Sequence, residues 1–159
     1  MSECGLQQVY ESVAADLYAY IQRACGHPSD AEDVFQETFA RLLGSEFSAD
    51  REIDYRRYLF RIATNLMRDR TRWSRRWRFD QMPNETGRPP ESLYVDGIDA
   101  HRALSEMKPK QRKLLWLAYV EGLPHKDIAD ILGVASTSVR VMLARARKKM
   151  LTHLGRGLR

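Results

Sequence analysis

Apolar residues recur at three- and four-residue spacings along most of this chain, and nowhere do β-branched residues alternate as a strand requires. That periodicity predicts an all-α fold without a sheet. Residues 7–25 carry Tyr10, Val13, Leu17, Ile21 and Ala24 at helical spacing, and Gly26, His27 and Pro28 break the helix. Ser29, with Glu32 three residues on, reads as the N-cap and capping box of a second helix. It runs through Phe35, Thr38, Phe39, Leu42 and Leu43 and stops at Gly44, placed as a C′ glycine. A third helix starts near Asp54 and passes Tyr58, Leu59, Ile62 and Leu66 on the way to about Trp77. Pro83, Gly87, Pro89, Pro90 and Gly97 then mark residues 80–97 as a flexible linker. The helical pattern resumes at Ile98 with Leu104 and Met107. Pro109 opens a helix with Leu114, Leu115, Leu117 and Ala118, then a short helix spans Lys126–Leu132 and a long one runs from Ser136 to about Leu154. The expected architecture is two small helical domains, 1–79 and 98–159, joined by 80–97.

The net charge of +5 over 159 residues points only weakly to a polyanion, but its order along the chain says more. Residues 1–54 hold three Arg against eleven acids, net −8; residues 55–78 hold nine Arg against Asp69 alone, net +8. Residues 79–159 hold fourteen basic residues against nine acids, net +5, and the last twenty carry seven basic residues and no acid. No eighteen-residue apolar run exists, so no membrane insertion is expected, and polar Met1–Gln8 lacks the pattern of a signal peptide. Two cysteines, Cys4 and Cys25, form no disulfide framework and suit a reducing cytoplasm.

Residues 125–145 read as a helix-turn-helix whose turn sits at Gly133 and whose second helix can be capped by Ser136. Projected at 100° per residue, Val139, Leu143, Ala146 and Met150 face the core. Thr137, Val141, Ala144 and Lys148 lie opposite, flanked by Arg140 and Arg145. Small and apolar side chains ringed by arginines suit a major groove, where Arg pairs with guanine and Val or Ala meets a thymine methyl. Ser136, Thr137 and Ser138 at the helix N-terminus suit phosphates.

In the second helix Asp33, Gln36 and Glu37 share one face, which either complements the helix dipole or meets a basic protein partner. In the third, taking Ile62 as the core direction, Arg57, Arg61, Arg68, Arg72 and Arg75 form a stripe away from that face, with Asn65 on its edge. Five arginines along roughly 30 Å match the phosphates of a nucleic acid strand. Trp73 and Trp77 project nearer the apolar face and are expected to pack.

The stretch Asp30-Ala-Glu-Asp-Val-Phe-Gln-Glu-Thr-Phe-Ala-Arg41, with Tyr58-Leu-Phe-Arg-Ile-Ala-Thr-Asn65, resembles the second region of bacterial RNA polymerase sigma factors of the short extracytoplasmic-function type. Gly122-Leu-Pro-His-Lys-Asp-Ile-Ala-Asp-Ile-Leu-Gly133 and Ser138-Val-Arg-Val-Met-Leu-Ala-Arg-Ala-Arg147 resemble the fourth region. The resemblance implies that Asp33, Gln36 and Glu37 face the β′ clamp helices of core polymerase. It also implies that Asn65 and the arginine stripe engage the minus-ten element as it melts and a base flips out. The last helix would read the minus-thirty-five element as duplex, and the family often has an anti-sigma partner clamped between the domains. Tyr58 stands where the family usually has Trp, and Asp127 where it often has Glu. Val141 and Met142 stand where polar or basic residues are common, which shifts the expected readout toward Thr137, Arg140, Ala144 and Arg145.

The alternative is a helix-turn-helix regulator acting without polymerase, which would dimerise on a palindrome and have no use for Asp33, Gln36 and Glu37. An enzyme is not expected. The four histidines are scattered, Cys25-x-His27 lacks a second ligand pair for a metal, and no glycine-rich phosphate loop or cofactor motif occurs.

Overall fold

The computed structural model describes residues 3–25, 28–48, 51–77 and 102–157, so the linker read at 80–97 lies outside the described residues. Helix α1 spans Glu3–Ala24, α2 Pro28–Gly44 and α3 Glu52–Trp77. After a helical stretch at 102–105, α4 (Pro109–Leu115) runs directly into a π-helical turn (Trp116–Val120). Helices α5 (His125–Leu132) and α6 (Ser136–Gly157) follow, and no strand occurs among the described residues.

The chain's punctuation explains these boundaries, with small shifts from expectation. Pro28 is the first residue of α2, where its fixed φ is preorganised for a helix, so Ser29 sits inside the first turn instead of capping it. Gly44 ends the helix as its last member without a positive φ. Ser136 is likewise the first residue of α6, and Ala135 precedes it. Among the described residues positive φ occurs at Gly122 (64°) and Gly133 (68°), both in turns between helical elements. At Gly133 the amides of Gly133 and Val134 both return to the Ala129 carbonyl, which closes the end of α5 and turns the chain into α6.

Val13, Leu17, Tyr20 and Ile21 of α1 pack with Val34 and Leu42 of α2 and with Leu59, Phe60 and Ala63 of α3. Leu114, Leu117, Ile128, Ile131, Val139 and Ala146 form the core of the second half. These two groups are continuous, because α1 packs on α4 and α3 on α5. Ile62, the core direction expected for α3, is only half-buried, whereas Phe60, Ala63 and Met67 are buried. With α1 and α2 on one side and α5 on another, α3 needs a wider apolar arc than a one-sided projection supplies.

Two buried polar groups depend on this packing. The Tyr20 hydroxyl lies 2.7 Å from Thr64 Oγ1, which itself donates to the Phe60 carbonyl, so Tyr20 is the donor to Thr64. Lys113 is 6% exposed, and burial, followed by repulsion from Arg68, pulls its pKa down to about 8.

Replacing Thr64 by Val strands the Tyr20 hydroxyl and should destabilise the chain by about 1–3 kcal/mol in denaturant unfolding; Tyr20→Phe in the same chain should recover much of that loss. Because the Lys113 pKa is lower folded than unfolded, the unfolded chain binds more protons between about pH 8 and 10.5, so this residue's contribution to stability rises across that window and is lost below it. Lys113→Met should therefore be more stable than wild type at pH 7, by about 1–2 kcal/mol, with the advantage shrinking toward pH 10.

Candidate functional site

Three surfaces carry the residues singled out above. On α6, Val139, Leu143 and Ala146 are buried, which fixes the rotation of the helix. Ser136, Thr137, Ser138, Arg140, Val141, Ala144, Arg145 and Lys148 are consequently all exposed, with Val141 51% accessible. An exposed valine among arginines on the second helix of a helix-turn-helix can contact base edges as well as phosphates. Arg147, to one side, donates to the Tyr119 hydroxyl at 2.9 Å.

On α3, Arg57, Arg61, Asn65 and Arg68 lie on one face at spacings of four, four and three. Arg61 and Asn65 are exposed, and Arg57 and Arg68 partly so. Arg72 and Arg75 continue the same line on the helix, but their side chains, with those of Trp73 and Trp77, lie outside the described residues. The stripe is engaged by the second half of the chain. Arg57 pairs with Asp127 at 3.1 Å, Arg61 with Asp130 at 3.6 Å, and Arg68 donates to the Leu132 carbonyl at 2.8 Å. Sequence spacing could not show these partners, which lie 64 to 70 residues away in the chain.

The residue most tightly held at this junction is Arg56, which the helical projection passes over. Its guanidinium meets Glu121 at 2.6 Å, Asp16 at 2.9 Å and the Ser12 carbonyl at 3.2 Å. Desolvation opposes the charge on Arg56, but Asp16 and Glu121 more than offset it and its pKa is raised. Burial pushes the Glu121 carboxyl up, against the pull of Arg56.

On α2, Asp33, Gln36 and Glu37 are exposed on one face as the spacing predicts. Arg70 of α3 approaches Asp30 at 3.5 Å and Asp33 at 3.8 Å, and Glu37 pairs with Arg41 at 3.1 Å. Beside them, α1 and α2 enclose an open groove of about 610 Å³, lined by Tyr10, Tyr18, Phe35, Gln36, Phe39 and Leu43 among others. Tyr10, Phe35 and Phe39 form a mutually packed aromatic cluster, with ring centroids 5.0–6.3 Å apart. Leu43 is 61% exposed at its edge. Phe35 and Phe39 fit a core stripe by periodicity, and only the α1–α2 packing shows that they line a surface groove instead. Tyr58 stacks on Phe47 with ring centroids 4.0 Å apart, fastening the α2–α3 connection to α3.

Comparison with known proteins assigns these surfaces to two regions of one family. Residues 9–79 match the family described as Sigma-70 region 2, and residues 98–150 match Sigma-70, region 4. The chain is 32% identical over 149 residues to the ECF RNA polymerase sigma factor SigE of Mycolicibacterium smegmatis, across 88% of this chain and 58% of that protein's length. It is 29% identical over 160 residues to the ECF RNA polymerase sigma factor SigL of Mycobacterium tuberculosis, across 94% of this chain and 90% of that one. Its fold is that of the sigma factor RpoE solved with the anti-sigma factor NepR from Bartonella quintana: TM-score 0.72, 24% identity, 94% of this chain and 96% of that chain covered. CnrH in complex with the cytosolic domain of CnrY is similar, with TM-score 0.69, 23% identity and 97% and 90% coverage. With region 2 on the half that carries the acidic and arginine faces, and region 4 on the helix-turn-helix half, the chain belongs to the extracytoplasmic-function group of the sigma-70 family of RNA polymerase sigma factors.

Proposed function

We propose that this chain acts in the cytoplasm as a promoter-specificity subunit built from two modules, 1–79 and 98–159, joined by 80–97. The observation that carries the reading is the separation of three chemically distinct faces on three helices: acidic and aromatic on α2, arginine-rich on α3, small and basic on α6. Asp33, Gln36 and Glu37, with the neighbouring aromatic groove, dock on the β′ clamp helices of core polymerase. Arg57, Arg61, Asn65, Arg68, Arg72 and Arg75 hold the opened minus-ten strand, where unstacking costs a few kcal/mol that a protein groove must offset. Ser136, Thr137, Ser138, Arg140, Val141, Ala144, Arg145 and Lys148 meet the minus-thirty-five duplex. The bond-making chemistry belongs to polymerase. RpoE is solved with the anti-sigma factor NepR and CnrH with the cytosolic domain of CnrY, which supports an anti-sigma partner here. A regulator acting without polymerase would leave the α2 face without a role, and the region 2 match favours the sigma reading over it.

Glu37→Lys reverses charge on an exposed face and should abolish binding to purified core polymerase while leaving the melting temperature near that of wild type; unchanged core binding would refute the docking surface. Arg140→Ala should weaken holoenzyme binding by about 1–3 kcal/mol at one upstream base pair and spare melting. Asn65→Ala should do the opposite, slowing open-complex formation read by a fluorescent base at the minus-ten element. With about five phosphates contacted, log K against log salt should slope by about −3.5 to −4.5 from this subunit, and a flat response would count against the arginine face.

A further inference from the structure

A hydrogen bond joins the π-helical turn after α4 to the exposed side of α6. The Glu121 amide returns to the Trp116 carbonyl at 3.1 Å, five residues back, so Trp116–Val120 is wound more widely than the α-helix before it. At α-helical spacing Tyr119 would follow buried Leu115 into the core; in the wider turn it is 58% exposed instead. Its phenol oxygen lies 2.9 Å from Arg147 Nη1 on α6. A guanidinium has no acceptor, so Arg147 donates, and the phenol proton stays available to donate outward. Arg147 is exposed, and among the described residues no carboxylate pairs with it, unlike Arg41, Arg51, Arg56, Arg57, Arg61 and Arg70. Its side chain is therefore held in place with its charge uncompensated. On α6 it stands seven residues after Arg140, two turns along the same edge of the exposed face, with Ala144 between them.

We propose that Tyr119 and Arg147 together grip a backbone phosphate of duplex DNA at one edge of the α6 face. Two donors 2.9 Å apart, one on the turn and one on the helix, can reach the same phosphate group. Base edges are met by the N-terminal part of a recognition helix, and residues two turns further on reach the strand that walls the groove. Arg147 in that position neutralises a phosphate, while Tyr119 fixes the direction of the guanidinium and adds a neutral donor. The contact carries no sequence information; it sets the depth and register at which Arg140, Val141 and Ala144 meet the bases. It also extends the interface beyond the helix-turn-helix to the turn that precedes it. The inference rests on the reading of α6 as a duplex-binding helix.

The test uses the full chain and a fluorescein-labelled mixed-sequence duplex, since phosphate contacts supply essentially all of non-specific binding. Anisotropy titrations over a range of salt give the affinity and its salt slope together. Arg147→Gln should weaken binding about ten- to thirtyfold and make the slope of log K against log salt shallower by about 0.9, the loss of one phosphate. Tyr119→Phe keeps the ring and the charge of Arg147, and should weaken binding about three- to tenfold with the slope unchanged. Placed in the Arg147→Gln chain, the same change should cost less than about twofold, because the two groups act on one phosphate. Arg41→Gln, an equal change of charge at an exposed position on α2, should leave the slope as in wild type. Wild-type affinity for Tyr119→Phe would overturn the proposal, as would additive losses in the double variant or an equal loss of slope for Arg41→Gln and Arg147→Gln. A different result separates out the underlying reading. If Arg140→Gln with Arg145→Gln leaves duplex affinity intact, then the α6 face is not a duplex surface at all. If that pair weakens binding while the Tyr119 and Arg147 variants do not, the phosphate grip alone fails. Thermal unfolding of each variant guards against loss of fold. Arg147→Lys, which keeps the charge and should recover the wild-type slope without the full affinity, keeps the test decisive if Arg147→Gln is destabilised.

Discussion

The two halves of this molecule meet at Arg56, and the arrangement of its functional faces follows from that contact. A guanidinium offers donors in a planar fork, and here the fork reaches three acceptors on two other segments: Asp16, the Ser12 carbonyl and Glu121. A lysine in the same place would offer a single point charge. The Phe60 ring, 6.0 Å away, lies against the cation from the side of the core. Glu121 is delivered to this fork by local backbone geometry. The π-turn from Trp116 sends the Glu121 amide back to the Trp116 carbonyl, and Gly122 then reverses the chain so that Leu123 returns to the Leu117 carbonyl. An ion pair this deeply set gives up hydration on both partners, so its main effect is to fix register, with little net gain in free energy. The register it fixes is the one in which α5 lies along the α3 arginines.

Charge order along the chain now has a double meaning. The acidic first segment and the arginine-rich segment after it, proposed to meet external partners, also complement each other and the second half. Arg70 leans toward Asp30 and Asp33, Arg56 toward Asp16, and Arg57 and Arg61 toward carboxylates of α5. Under the proposed function, the Asp33 pair competes with polymerase, and the Arg57 and Arg61 pairs with DNA, for the same groups. Because most are partly exposed, none is strong enough to prevent the exchange.

The elements most legible in the sequence were those packed on one side only. Helix α6 touches its neighbours along a single face, and a simple projection from Val139, Leu143 and Ala146 places every exposed residue where it is found. Gly133 was legible for a similar reason, since a short turn between two helices leaves few alternatives to a left-handed residue. Helix α3 was harder. It is covered on two sides, so one core direction misjudges Ile62, Phe60 and Met67, and it hides Arg56 among nine arginines that look equivalent in spacing. The aromatic groove was illegible because periodicity gives Phe35 and Phe39 the phase of core residues. Whether α1 reaches far enough to cover them is a tertiary fact. Helix ends moved by a residue where two residues compete for one role, as Pro28 and Ser29 do.

The junction also contains groups that oppose closure, and these decide how firmly it can hold. Lys113 is buried near Arg68 and Arg112, and burial lowers the pKa of Arg112 as well. Burial removes water from Lys113 and Arg112, and Lys113 is repelled by Arg68 of α3, which opposes close packing of the two halves. Against them stand Arg56–Glu121, two partly exposed carboxylate pairs, the Arg68–Leu132 hydrogen bond and the apolar contacts of α1 with α4 and α3 with α5. A junction with substantial attractive and repulsive groups together has a small net preference. A small preference is what a partner can reverse, since a ligand shifts a two-state equilibrium only by its difference in affinity for the two states.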